Sequence, residues 1–205
     1  IEDLVPLLGP KTRLVAVSLV SFFNGFMVPI PEVVRTVREK SSAFVSLDVT
    51  QALGRIPLDL KGVDLIVSST HKWLLASHGG GLVGVPSERS LDLTARAGGW
   101  FNLEDPFGPD RFKTAEPKTG AASYTVGMPN FPAVYATCAA ARYLREIGVK
   151  EIDNHARPLV LACLAGLKKL PLKLLTPDDP DCLAGILAFQ HADADRIHAQ
   201  LHRQN

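Results

Sequence analysis

Four short apolar runs constrain this chain most: RLVAVSLV at 13–20, AFVSLDV at 43–49, DLIVS at 64–68 and GLVGV at 81–85. Each is too brief for a core helix and is continuously apolar rather than alternating. That pattern predicts strands buried on both faces, as in a parallel sheet. Between the first two runs, Pro31 opens a stretch to Lys40 that reads as helix, because proline is tolerated in a first helical turn. Strands joined by a helix or a crossover predict an α/β fold: a mostly parallel sheet with covered faces.

Further along, Ala, Tyr and Leu at helical spacing predict a helix over 132–147, and a second over 151–170 that Pro171 breaks. Residues 172–175, the turn TPDDPD at 176–181, a strand at 184–190 and a polar-faced helix from Asp193 come next. This order predicts a second, smaller α+β unit, with the division near residue 150: one unit over 1–150 and the start of another over 151–205. The chain opens on Ile1, a few residues before a core strand. Such an opening is expected of a truncated chain.

Lys and Arg number 22 against 21 Asp and Glu, so the net charge is +1, and the basic residues are scattered. Nothing in that balance would draw a polyanion, which argues against nucleic acid or an anionic membrane as partner. The longest weakly polar run, 14–30, holds Asn24, Gly25 and Pro29 and is short for a membrane span. Cys138, Cys163 and Cys182 form no C-x-x-C pair and no even-numbered disulfide framework. With no secretory pattern at the start, they read as buried thiols of a reducing compartment, hence a cytoplasmic protein.

The chemistry concentrates between residues 48 and 81. Asp48 closes one predicted strand, and Ser69, Thr70, His71 and Lys72 come after another. In an open α/β sheet, ligands bind outside the carboxyl ends of the strands, so both groups fall at one edge. A lysine desolvated there, beside a cation or an apolar wall, has a lowered pKa and attacks a carbonyl carbon. A nearby carboxylate can keep the ring nitrogen of pyridoxal 5′-phosphate (PLP) protonated, which makes the ring an electron sink. Ser and His beside the lysine offer hydrogen bonds to a phosphate. Singly, a His-Lys pair is usually a solvated loop and an aspartate after a strand a helix cap. The combination is what points to a PLP site.

Asp48-Val49-Thr50-Gln51, then Ser69-Thr70-His71-Lys72-Trp73, then a glycine cluster before GLVGV, resemble the class V aminotransferase group of fold-type I PLP enzymes. That group includes cysteine desulfurases and kynureninase-like and isopenicillin-epimerase-like enzymes. Gly98-Gly99-Trp100 and Val126-Gly127-Met128-Pro129-Asn130 look like later landmarks, so the resemblance runs from about residue 12 to the end. It implies that Lys72 forms the Schiff base with the cofactor and shuttles the proton at the substrate's α-carbon. It also implies that Asp48 pairs with the pyridinium nitrogen, Gln51 hydrogen-bonds the phenolic oxygen, and Ser69 and His71 bind the phosphate. Residues 1–150 would then be the C-terminal part of the large PLP-binding domain. The protein would be a homodimer acting on a small amino acid, most simply as an aminotransferase. Desulfurase, epimerase or lyase activity, or a fold kept without its chemistry, are the alternatives.

Two positions depart from the pattern: Phe22 stands where desulfurases place an asparagine over the cofactor, and Met128 where a Thr or Ser often meets the neighbouring subunit's phosphate. The resemblance puts the phosphate loop and the ring-stacking residue ahead of Ile1, and the carboxylate-binding arginine beyond Asn205. His78-Gly79-Gly80-Gly81 matches a lipase oxyanion motif, but no G-x-S-x-G nucleophile elbow accompanies it. His198 and His202 sit at zinc-helix spacing with alanine at 199, which reads as a solvent-facing helix. Lys168, Lys169 and Lys173 read as a solvated face. Trp100 would line a substrate pocket or plug the seam between units. Cys138 and Cys163 fall in apolar helical runs, where a thiol is expected to be buried, and Cys182 comes after carboxylates that should raise its pKa. Together with Phe22, these cysteines predict no desulfurase chemistry from the visible residues.

Overall fold

The computed structural model describes residues 1–96 and 98–204. Its centre is a four-stranded sheet in the order β1 (Leu14–Ser18), β2 (Phe44–Asp48), β3 (Leu65–Ser69), β4 (Gly81–Gly84). The first three strands are parallel, with Ser18 opposite Asp48 and Asp48 opposite Val67. β4 runs antiparallel to β3, Ser69 facing Gly81. The mostly parallel α/β sheet is therefore as the apolar runs predict.

Helix α1 (Ile30–Lys40) connects β1 to β2 and buries Ile30, Val33 and Val37, spaced for one helical face. Val45, Leu47 and Val49 alternate onto one side of β2 and join the same apolar clusters. That face of the sheet is the core. The other face, which carries Leu14, Asp48 and Val83, is partly open, with Leu14 54% and Val83 37% exposed. The expectation of two covered faces thus holds for one face among the described residues. The central strand β2 matches its apolar reading; β1 and β4, at the edges, do not.

Helices α2 (Phe131–Ile147) and α3 (Val149–Leu167) are parted by Gly148, whose φ of 87° few other residues adopt. The Asn130 side chain caps α2 by accepting from the Ala133 amide. After α3 comes a two-stranded antiparallel sheet, β5 (Lys173–Leu174) with β6 (Phe189–Gln190), and then α4 (Ala194–Gln204). The strand expected over 184–190 shrinks to its last two residues. Leu183 and Ala184 turn inward instead: Leu183 bridges to Phe26, and Ala184 joins the core of the main sheet. Asn205, the end of the expected second unit, lies outside the described residues.

Asp64, just ahead of β3, ties the far end of the sheet together. Its buried carboxylate accepts from Arg38 of α1 (2.5 Å), from Arg89 (2.9 Å) and from the Val45 amide (2.7 Å). Burial alone would raise its pKa. The Arg38 and Val45 hydrogen bonds and the two guanidinium charges outweigh that and hold it below the ordinary carboxylate value.

Candidate active site

Parallel pairing puts the carboxyl ends of β2 and β3 side by side, and there the chain builds a polar turn. The Thr50 amide donates to Asp48 Oδ1 (2.8 Å), and the Ser69 amide donates to Thr50 Oγ1 (3.0 Å). Thr50 thus splices the two strand ends. The register sets Asp48 and Ser69 on the same side of the sheet, the side away from α1. They line one cleft of about 470 Å³ with Thr50, Val67, Val83 and Tyr124.

Residues 70–80 leave this edge and return to it as a closed loop. Thr70 is buried; its amide donates to the Gly80 carbonyl (3.4 Å) and its hydroxyl to the Ser77 carbonyl (2.9 Å). The Ala76 amide closes back onto the Thr70 carbonyl (3.0 Å). A Cβ on Gly80 would stand 2.5 Å from Thr70 Oγ1, so the neck of the loop requires glycine. Lys72 rides exposed on this loop, its carbonyl accepting from the Leu75 amide (2.9 Å).

His71 stacks on His78 with ring centroids 4.2 Å apart and planes at 20°. Local desolvation first, then the charges of His78 and Lys72, lower the pKa of His71. Trp73 bonds back across the edge: its Nε1–H donates to Gln51 Oε1 at 3.2 Å. Of the five residues singled out in the sequence, Asp48 and Ser69 meet at one cleft. Gln51, His71 and Lys72 stand on the segments that continue from its walls. Sequence reasoning gives no role to Thr50 within the D-x-x-Q motif, nor to Trp73 beside the lysine. A hydroxyl two residues after a strand-end aspartate is the signal that could have found Thr50.

Away from the cleft, the cysteines differ from expectation. Cys138 and Cys163 are exposed, not buried, because α2 buries only Ala133, Ala140 and Leu144, and α3 only Leu164. Cys182 is half-buried, and burial, the Asp179 hydrogen bond and the charges of Asp179 and Asp181 raise its pKa as expected. His198 and His202 are both exposed on α4, and no metal-binding cluster occurs among the described residues. Phe22 and Met128 are largely exposed. Trp100 packs on Phe107 (5.1 Å) at a separate apolar hollow.

The donor set suits PLP. A carboxylate with one protein hydrogen bond can face a pyridinium, a primary amine can hold an aldehyde carbon, and hydroxyl and imidazole groups can meet a phosphate.

The chain is 29% identical over 154 residues to the uncharacterized aminotransferase YcbU of Bacillus subtilis (strain 168), covering 74% of this chain and 40% of that protein. It is 29% identical over 198 residues to the probable cysteine desulfurase 2 of Mycobacterium leprae (strain TN), covering 94% and 44%. The chain therefore spans less than half the length of these two relatives. In fold it is similar to the cystine C-S lyase C-DES, solved with its reaction product cysteine persulfide. The TM-score is 0.82 at 24% identity, over 99% of this chain and 55% of that one. The family model for aminotransferase class-V matches residues 1–203, and with the fold and the strand-end turn in place, the chain belongs to that family.

Proposed function

We propose that this chain carries the lysine-bearing site of a PLP-dependent enzyme acting on a small amino acid, most simply an aminotransferase of the class V type. One observation carries the reading: Asp48 and Ser69 end adjacent parallel strands on one cleft, and the loop that bears Lys72 springs from the same edge. When bound, PLP supplies an electron sink for the bonds at the substrate's α-carbon.

The residues divide the remaining work. Lys72 Nζ would hold the cofactor and would move the proton at the substrate's α-carbon. Asp48 keeps a proton on the ring nitrogen, with Thr50 fixing its carboxylate. The Ser69 hydroxyl and His71 meet the phosphate. Desolvation and the charges of His78 and Lys72 lower the pKa of His71, and its ring N–H can donate to a phosphate. Gln51 presents its amide to the phenolic oxygen. A homodimer belongs to this proposal through the family likeness, and a cytoplasmic location through the three free cysteines. No described helix is long and apolar enough to cross a membrane.

Borohydride reduction of the PLP-loaded protein followed by peptide mapping tests the reading. The pyridoxyl group is expected on the peptide containing Lys72, and recovery on another lysine overturns it. Cysteine desulfurase is the second reading, favoured by the exposed thiols of Cys138 and Cys163. Alanine release from L-cysteine that is lost in Cys138→Ser or Cys163→Ser would establish it. Phe22 and the raised pKa of Cys182 support the first reading.

A further inference from the structure

The side chain of Gln51 has two ends of similar shape and opposite hydrogen-bonding character, and only one can donate to an oxygen in the cleft. The structure commits the carbonyl end: Gln51 Oε1 accepts from Trp73 Nε1–H at 3.2 Å, which leaves the Nε2 amide free. Trp73 is placed in turn by groups outside the cleft. The Arg55 guanidinium lies 5.9 Å from its ring centroid. Arg55 is buried and fixed by Asp153 Oδ1 (3.0 Å) on α3 and the Ala184 carbonyl (2.9 Å). Two glycines make room. A Cβ on Gly54 would come within 2.6 Å of the Trp73 carbonyl oxygen, and one on Gly185 within 3.0 Å of Arg55 Nε.

We infer that Trp73 is a positioning residue that fixes the amide orientation of Gln51, so that Gln51 donates its N–H to the phenolic oxygen of the cofactor. Arg55, anchored on the segments beyond α2, holds Trp73. The inference rests on the proposed placement of Gln51 at that oxygen. Without the Trp73 N–H, the amide can turn its carbonyl toward the phenolate, where like partial charges repel and the donor is lost. A phenolate that loses a donor depends more on the proton shared with the neighbouring imine nitrogen, so that proton is held more tightly.

The test is the pH titration of the visible absorption of lysine-bound PLP in the whole protein. Gln51→Ala is expected to shift the midpoint upward. Trp73→Phe, which keeps a ring over Arg55 but has no N–H, is expected to shift it in the same direction, by about half a unit or more. Gln51→Ala/Trp73→Phe should shift no further than Gln51→Ala alone, as groups acting through one another are non-additive. Trp73→His, which restores a ring N–H, should recover part of the shift and separates lost packing from a lost donor. A titration moved by Gln51→Ala but not by Trp73→Phe overturns the inference and leaves the Gln51 assignment standing. A titration unmoved by Gln51→Ala overturns both. A shift in Trp73→Phe that Trp73→His fails to reduce, or additive shifts in the double variant, also overturns the inference.

Discussion

Asp48 and Asp64 are both aspartates near strand ends, yet their surroundings give them opposite tasks. Asp48 faces an open cleft with one backbone donor, and Asp64 is buried between two arginines. In Asp48→Asn the acceptor for the Thr50 amide survives and only the charge is lost. The fold should persist while α-proton exchange slows by several orders of magnitude, because an uncharged ring is a poor electron sink. Deuterium washout from the substrate's α-carbon measures this, and near-normal exchange would place the carboxylate away from the ring nitrogen. For Asp64 the folded pKa lies below the unfolded value of 3.8. Its stabilisation is therefore fully present above that value and is lost as pH falls through the depressed folded value. Asp64→Asn should cost about 2–4 kcal/mol at pH 7, less than the upper range for a broken buried pair because both guanidinium groups reach solvent. Urea melts should show the gap narrowing toward pH 3; a gap that stays constant would mean that packing, not charge, sets the cost.

At the scale of elements, the sequence makes legible whatever the chain buries locally. β2 and α1 are readable because Val45, Leu47 and Val49 meet Ile30, Val33 and Val37 over a short span of chain. The edge strands and the 184–190 segment are not, since composition does not tell an edge from a centre, or a strand from an apolar turn packed inward. The same limit misplaces Cys138 and Cys163: helical apolarity does not say which stripe faces the core. Both thiols should react with Ellman's reagent in the native protein, and Cys182, half-buried and beside carboxylates, should lag well behind. Equal rates for all three would contradict these placements. The lysine loop shows the converse, a glycine visible in the sequence whose reason is visible only in space. Gly80→Ala should press Cβ on Thr70 Oγ1, spread the neck of the loop and weaken PLP retention while leaving the sheet's circular dichroism intact. Unchanged PLP occupancy on dialysis would show that the neck does not govern the lysine.

Across the whole molecule, one buried side chain joins the main sheet to α3 and the small sheet. Arg55 leaves the β2–β3 connection, pairs with Asp153 on α3 and donates to the Ala184 carbonyl ahead of β6. No proximity in sequence links these positions, so nothing in the order of residues reveals the contact, although the division expected near residue 150 falls between them. The pair is dry on the arginine side, with only 4% of that side chain exposed against 19% for Asp153. Truncating the arginine leaves a carboxylate and a carbonyl without their donor, at a cost of about 3 kcal/mol or more. Arg55→Lys should recover only part of this, because an ammonium cannot reproduce the two-ended fork or the planar face over Trp73. The loss should also be uneven. The main sheet keeps its own core, whereas α3 and the β5–β6 pair lose a polar anchor. Hydrogen exchange should therefore speed up over 149–190 in Arg55→Ala, while the amides of β2 and β3 keep their wild-type protection. Uniform acceleration across both segments would mean that the chain opens as one cooperative body, and that Arg55 stabilises it globally rather than joining two separable parts.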